Sequence, residues 1–467
     1  MTAGVAHRPL PVLTIAALLL RARANAGRAV VDLLAIAAFA VSTGLLLSVV
    51  AGARAFFLRE QTPPQAFLDL VGLPAAAAGD QLALWTFLAG GAAVLLVVPL
   101  LTLSSAAARM GALGRDQRLA ALRLLGVSSF GAVALSATET MAAAAIGSVA
   151  GAALYAGLLP VWQVLSFQAA PLSVAEMVLP WQWIIALLAL VVVLAGGAAV
   201  LGLRQVRISP LGVARRVRRR GLRWQRLLTV PLVVVGWVAV APLLDFDRAR
   251  TAAMAITFVV LAGFMWVTNL VGPLLLQLAG QVMVRRDSAA VLLAGRRLLA
   301  DPRGAWRNVA GLALAAFAGG TMLALPSFGA TPDPLTALID ADLRTGTLLT
   351  LAIGFLVAAA STALNQAAAV LDRRASLVHL DHAGTPRDLV HRSRRHEVLI
   401  PTLLASVGAA GLSVVFFCTL GAMLPNLPGL LPLAAVLVAG VAAVTMAADG
   451  CRPLVAGMLA GAGPRAE

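Results

Sequence analysis

No lysine occurs anywhere in the 467 residues, so all 36 basic side chains are arginines. That absence excludes a Walker A phosphate loop, a lysine Schiff base and a Ser-Lys dyad. Cysteine is nearly missing too: Cys418 and Cys451 fall near opposite ends of successive apolar segments, so neither a disulfide framework nor redox chemistry is expected. Charge is scarce, at 12% of residues against 60% hydrophobic, and the mean hydropathy is +0.92, far from a soluble domain. The composition is that of an all-α, polytopic membrane protein. Each bilayer span needs about 20 mostly apolar residues, so about ten spans leave only short connections and no room for a large soluble catalytic domain. The net charge of +16 would suggest nucleic acid in a soluble protein; here it points to cytoplasmic loops facing anionic lipid headgroups, with no nucleic-acid partner.

The first apolar run, 12–20, is followed by Arg21, Arg23 and Arg28 rather than a small-residue cleavage site. Residues 1–29 therefore read as a cytoplasmic amphipathic helix and not a signal peptide. Spans are expected at 30–51, 82–105, 130–159, 181–203, 227–244, 251–278, 308–328, 347–371, 398–423 and 430–448. Threaded from a cytoplasmic N-terminus, only Arg54, Arg59, Arg248, Arg250 and Arg344 fall outside, leaving 31 of 36 arginines inside as the positive-inside rule requires. Both termini are then cytoplasmic. Trp85, Trp162, Trp181 and Trp183 fall at outer span ends and Trp224 and Trp306 at inner ones, where interfacial belts form, whereas Trp237 and Trp266 read as mid-span packing residues.

An internal repeat is the most informative pattern. An ungapped offset of 258 pairs Arg115 with Arg373, Leu119 with Leu377, Leu122 with Leu380, Gly126 with Gly384 and Glu139 with Glu397. In both copies a charged, helix-compatible segment ends at Gly, the usual helix C-terminal residue, and a Glu opens the next span 13 residues later. The expected organisation is a first four-helix unit (30–204), a basic linker with two connecting helices (205–286), a second four-helix unit (287–452) and a cytoplasmic tail (453–467).

At "RLAALRLLGVSSFGAVALSATET" (118–140), and in degenerate form at "RRASLVHLDHAGTPRDLVHRSRRHEV" (373–398), the chain resembles the FtsX-like permease family, membrane subunits of ABC transporters of the macrolide-exporter and lipoprotein-release kind. "RISPLGVAR" (207–215) is similar to that family's segment after a membrane helix, and the ten-helix layout resembles its bacitracin-resistance type. The resemblance implies that Arg115, Arg118, Leu119, Leu122, Gly126, Leu377, Leu380 and Gly384 belong to coupling helices seated on a separate cytoplasmic ABC ATPase dimer. That partner would hold ATP and magnesium, and this chain no cofactor. The family's large extracytoplasmic domain has no counterpart, since the matching loops run only over 52–81 and 329–346.

Other readings of the same residues stand beside this one. The leucine-faced segments also suit interfacial helices held by anionic lipid. Glu139 and Glu397 are candidate intramembrane polar sites awaiting an arginine on a neighbouring helix, or carboxylates favoured by a helix N-terminus; Asp32 shares that ambiguity. His379 and His382 are spaced for a shared face, but the surrounding arginines oppose a bound dication, so no metal site is expected. Seven arginines within "RRVRRRGLRWQR" (215–226) abut a span and suit lipid headgroups. Gly147 with Gly151, and Gly408 with Gly411, would allow helices to approach closely. Functionally the chain reads as an ABC permease in the plasma membrane of a bacterium, exporting or extracting an amphiphilic drug, peptide antibiotic or lipid. The alternatives are a membrane scaffold that regulates a cell-envelope process, or a secondary transporter, against which the lack of mid-span carboxylates counts.

Overall fold

A computed structural model describes residues 29–72, 74–112, 129–206, 250–324, 333–372, 374–418 and 427–452, with isolated positions at 231–239 and 456. The described residues are about 90% helical. Among the described residues, eight helices are long and apolar enough to cross a membrane, as expected of an all-α, multi-pass membrane protein.

In chain order the elements are α1 (Ala29–Gln61), α2 (Gln65–Val71), α3 (Ala75–Ala112), α4 (Ser129–Trp162), β1 (Ser166–Phe167), β2 (Ala170–Pro171), α5 (Val174–Met177) and α6 (Trp181–Val206). They continue with α7 (Arg250–Val284), α8 (Ala289–Ala300), α9 (Pro302–Ala324), α10 (Pro334–Asp372), α11 (Arg374–His382), α12 (Arg387–Cys418) and α13 (Leu427–Asp449). The eight candidate spans lie in α1, α3, α4, α6, α7, α10, α12 and α13. Of the two other expected spans, 227–244 falls outside the described residues apart from isolated positions. Of the expected span 308–328, residues 308–324 are helical within α9, which is not among the eight, and the rest lies outside the described residues.

The chain divides into two compact units. One comprises Met1–Leu47, Leu101–Gly157 and Leu179–Arg216, the other Ser48–Leu100, Leu158–Val178 and Val217–Glu467. In the first unit α1 and α4 cross at small residues. A Cβ on Gly147 would lie 2.5 Å from the Phe39 Cβ, and one on Gly151 2.7 Å from the Ala40 carbonyl and the Thr43 Cβ. Only glycine permits that approach. Ser42 and Ser104 share a hydroxyl hydrogen bond of 2.7 Å, which satisfies two buried polar groups at once.

In the second unit α9 packs on α7, α10 and α12, and α13 on α10 and α12. Trp306, Phe317, Leu351, Ala405 and Leu433 meet in the core. Gly272 leaves the space that Trp306 fills, and Gly440 that of Phe355. The glycine pair 408 and 411 behaves differently from expectation: both residues are exposed and nothing lies within 4 Å of a Cβ on either. The belt reading divides: Trp181 and Trp183 are exposed at the start of α6 as it expects, whereas Trp85 and Trp306 are buried, and Trp266, expected to pack, is 63% exposed on α7.

Candidate functional site

The C-terminal end of α1 carries two arginines, Arg54 and Arg59, and the fold buries one of them. Arg59 is 2% exposed. Its Nε donates to Glu176 Oε1 at 2.7 Å and Nη2 to Glu176 Oε2 at 2.9 Å, a bidentate pair. Nη1 donates to the Phe167 and Ala170 carbonyls at 2.7 and 3.2 Å, and Nη2 to the Pro171 carbonyl at 2.6 Å. These bonds draw the segment from Trp162 to Val178 onto α1 as a strap, and Arg54 adds bonds from Nη1 to the Glu176 and Val178 carbonyls.

The strap has its own local logic. Ser173 and Glu176 form a capping box that starts the short helix α5. Burial alone would raise the Glu176 pKa, but the bonds from Arg59 and Ser173 and the Arg59 charge outweigh it and hold the carboxyl below its usual value. The hairpin β1–β2 pairs Phe167 with Ala170 around the two-residue turn Gln168-Ala169, whose φ values are +57° and +60°. Such a turn usually recruits Asn and Gly. Here the left-handed strain is held from both sides, by Arg59 on the flanking carbonyls and by Asp342 Oδ2, which accepts from the Gln168 amide at 2.7 Å.

Asp342, on α10, is 7% exposed, and the same Oδ2 accepts from Trp85 Nε1 of α3 at 2.9 Å. Its neighbourhood is aromatic: Phe67 meets Trp85 edge to face at 5.9 Å, and Phe56 meets Phe167 in the same way at 5.3 Å. Between α1, α3, α10, the strap and Gly319 of α9 lies an open cavity of about 260 Å³. Its wall is overwhelmingly apolar, and Asp342 is the only ionisable residue among the described residues that line it. Two strap residues keep buried polar atoms without a hydrogen-bond partner: Trp162 Nε1, on the cavity wall, and both side-chain atoms of Gln168, which is fully buried.

None of the described residues singled out from sequence as candidate sites lines this cavity. Arg115, Arg118, Leu119, Leu122 and Gly126 fall outside the described residues. Leu377 and Leu380 lie on α11, which ends with Gly384 at φ +75° and Thr385 N donating to the Leu380 carbonyl at 3.0 Å. Leu377 is buried within the chain against Val370 and Val390, whereas Leu380 is half-buried and His379 and His382 are exposed. Glu139 is buried on α4. Glu397 of α12 pairs with Arg297 of α8 at 2.9 Å. The Arg59–Glu176 and Asp342 contacts were missed, although Ser173-x-x-Glu176 is a readable capping signature. Comparison with protein-family models, curated proteins and solved structures finds no match to this chain.

Proposed function

We propose that the chain is the permease subunit of a bacterial plasma-membrane ABC transporter of the FtsX-like kind, exporting or extracting an amphiphilic substrate. Energy would come from a separate ATPase dimer, because without lysine this chain cannot close a Walker A loop of its own. The observation that carries the reading is the cavity, an open apolar chamber of about 260 Å³ walled by membrane helices. A pocket with apolar walls and few polar groups is the usual form of a small-molecule site, and a scaffold that only docks a partner has no use for one. With both termini cytoplasmic, as the arginine distribution favours, the strap and cavity lie toward the outer leaflet and α11 toward the cytoplasm. ATPase closure at α11 and its copy would then shift the populations of two helix packings around the chamber.

The test is affinity purification of the tagged chain from its native membrane, followed by transport in proteoliposomes. Recovery of an ABC ATPase, with transport abolished by ATP depletion, is the expected result. Purification without any ATPase, together with transport that survives depletion, would overturn the reading.

A further inference from the structure

We infer that the cavity selects a hydrophobic cation, a molecule with a compact apolar body and one positively charged head, and that Asp342 receives the head. This rests on reading the chain as a substrate-handling permease and names the substrate class of that chamber. Asp342 is the single ionisable residue among the described ones of a largely apolar wall, whose other polar side chains include the hydroxyls of Ser48, Thr347 and Thr350, and an uncompensated charge there is costly. Both hydrogen bonds that it accepts end on Oδ2, and Oδ1 takes none within the described chain. Arg59 attracts Asp342 through space, but all five of its N–H donors are committed to Glu176 and to three strap carbonyls. The carboxylate therefore keeps one free oxygen against an apolar space.

The rest of the wall suits the same ligand. Trp85, Trp162 and Phe167 line the cavity, and aromatic faces attract cations most strongly where water is excluded. An anion would meet the Asp342 charge with no basic side chain among the described lining residues to offset it, and a neutral hydrocarbon would leave Oδ1 unpaired.

The inference is tested by titration calorimetry on the chain in phosphatidylcholine nanodiscs, with benzyltrimethylammonium and benzylsulfonate as a soluble pair of similar size and opposite charge. The cation should bind and the anion should not. Asp342→Asn keeps an oxygen to accept from Trp85 and Gln168, so it should fold as the parent does while cation affinity falls by about thirtyfold or more. Thr350→Trp, which fills the chamber and leaves Asp342 in place, should abolish binding as well. Equal affinity for both ions, or cation binding unchanged in either variant, would overturn the inference. Binding is read on the chain alone, so failure to recover an ATPase leaves this site standing. An ATPase recovered with a chain that does not discriminate the two ions sinks the site and spares the transporter.

Discussion

The Arg59 guanidinium has five N–H donors, and the fold uses all of them. Lysine has three donors and no planar fork, so Arg59→Lys should release at least two strap carbonyls and lower thermal stability by about 2 kcal/mol or more. Glu176 adds a pH dependence whose sign follows from its depressed pKa. Such a carboxylate stabilises the fold above its unfolded pKa, and the contribution is lost as pH falls through the folded value. Pepsin cleavage within 163–178 should therefore rise steeply below the ordinary carboxylate range, and Glu176→Gln should remove most of that dependence. At the turn, Ala169 is exposed with φ +60°, so Ala169→Gly should relieve strain and stabilise the strap by about 1 kcal/mol, read as slower cleavage at neutral pH. Little of this was legible beforehand. Arg59 counted as one of five outer charges, and its partners lie more than a hundred residues away. Asp342 reaches Trp85 across 257 residues, a pairing that no local pattern encodes.

Helices were legible where apolar length alone decides them. The eight candidate spans coincide with expected ones because about 20 apolar residues admit few other structures in lipid. Their ends were not legible, since polar residues can continue a helix past the hydrocarbon. α1 runs to Gln61 through Arg54 and Arg59, which the strap engages. α10 begins at Pro334, well before the expected 347, behind Asp333, whose Oδ2 accepts from the Thr336 hydroxyl at 2.8 Å. Aspartate followed by proline is a strong helix start, and Asp340, Asp342 and Arg344 had masked it in a reading based on hydropathy. Glycine pairs divide in the same way: sequence marks them as small, and only packing says which are close to a neighbour. Gly147→Ala and Gly151→Ala should force α1 from α4 and cost about 1–3 kcal/mol each. Gly408→Ala and Gly411→Ala face open space and should be neutral or stabilising by up to about 1 kcal/mol. Thermal unfolding of the four variants in one detergent separates the pairs, and similar losses in all four would contradict the packing described here.

At the scale of the whole molecule, one element joins the chamber to the opposite end of the second unit. α10 has 39 residues, about 58 Å of continuous helix at 1.5 Å per residue. Its early part carries Asp342 and the cavity wall, and near its end Val370 packs on Leu377 of α11. A push on α11 thus has a stiff path to the chamber if an ATPase engages this helix. The two leucines of α11 then have different duties. Leu377 is 6% exposed and fastens α11 to Val370 and Val390, so Leu377→Asp buries a charge in the chain's own core and should destabilise it by several kcal/mol. Leu380 is only half-buried and leaves surface for a partner. Leu380→Asp should leave thermal stability and cation binding near their parental values, while ATPase recovery in the pull-down falls by about tenfold or more. If α11 is held by lipid alone, Leu380→Asp should weaken its membrane contact without changing ATPase recovery. Parental ATPase recovery with Leu380→Asp would therefore remove α11 from the coupling path while leaving the chamber and its carboxylate untouched.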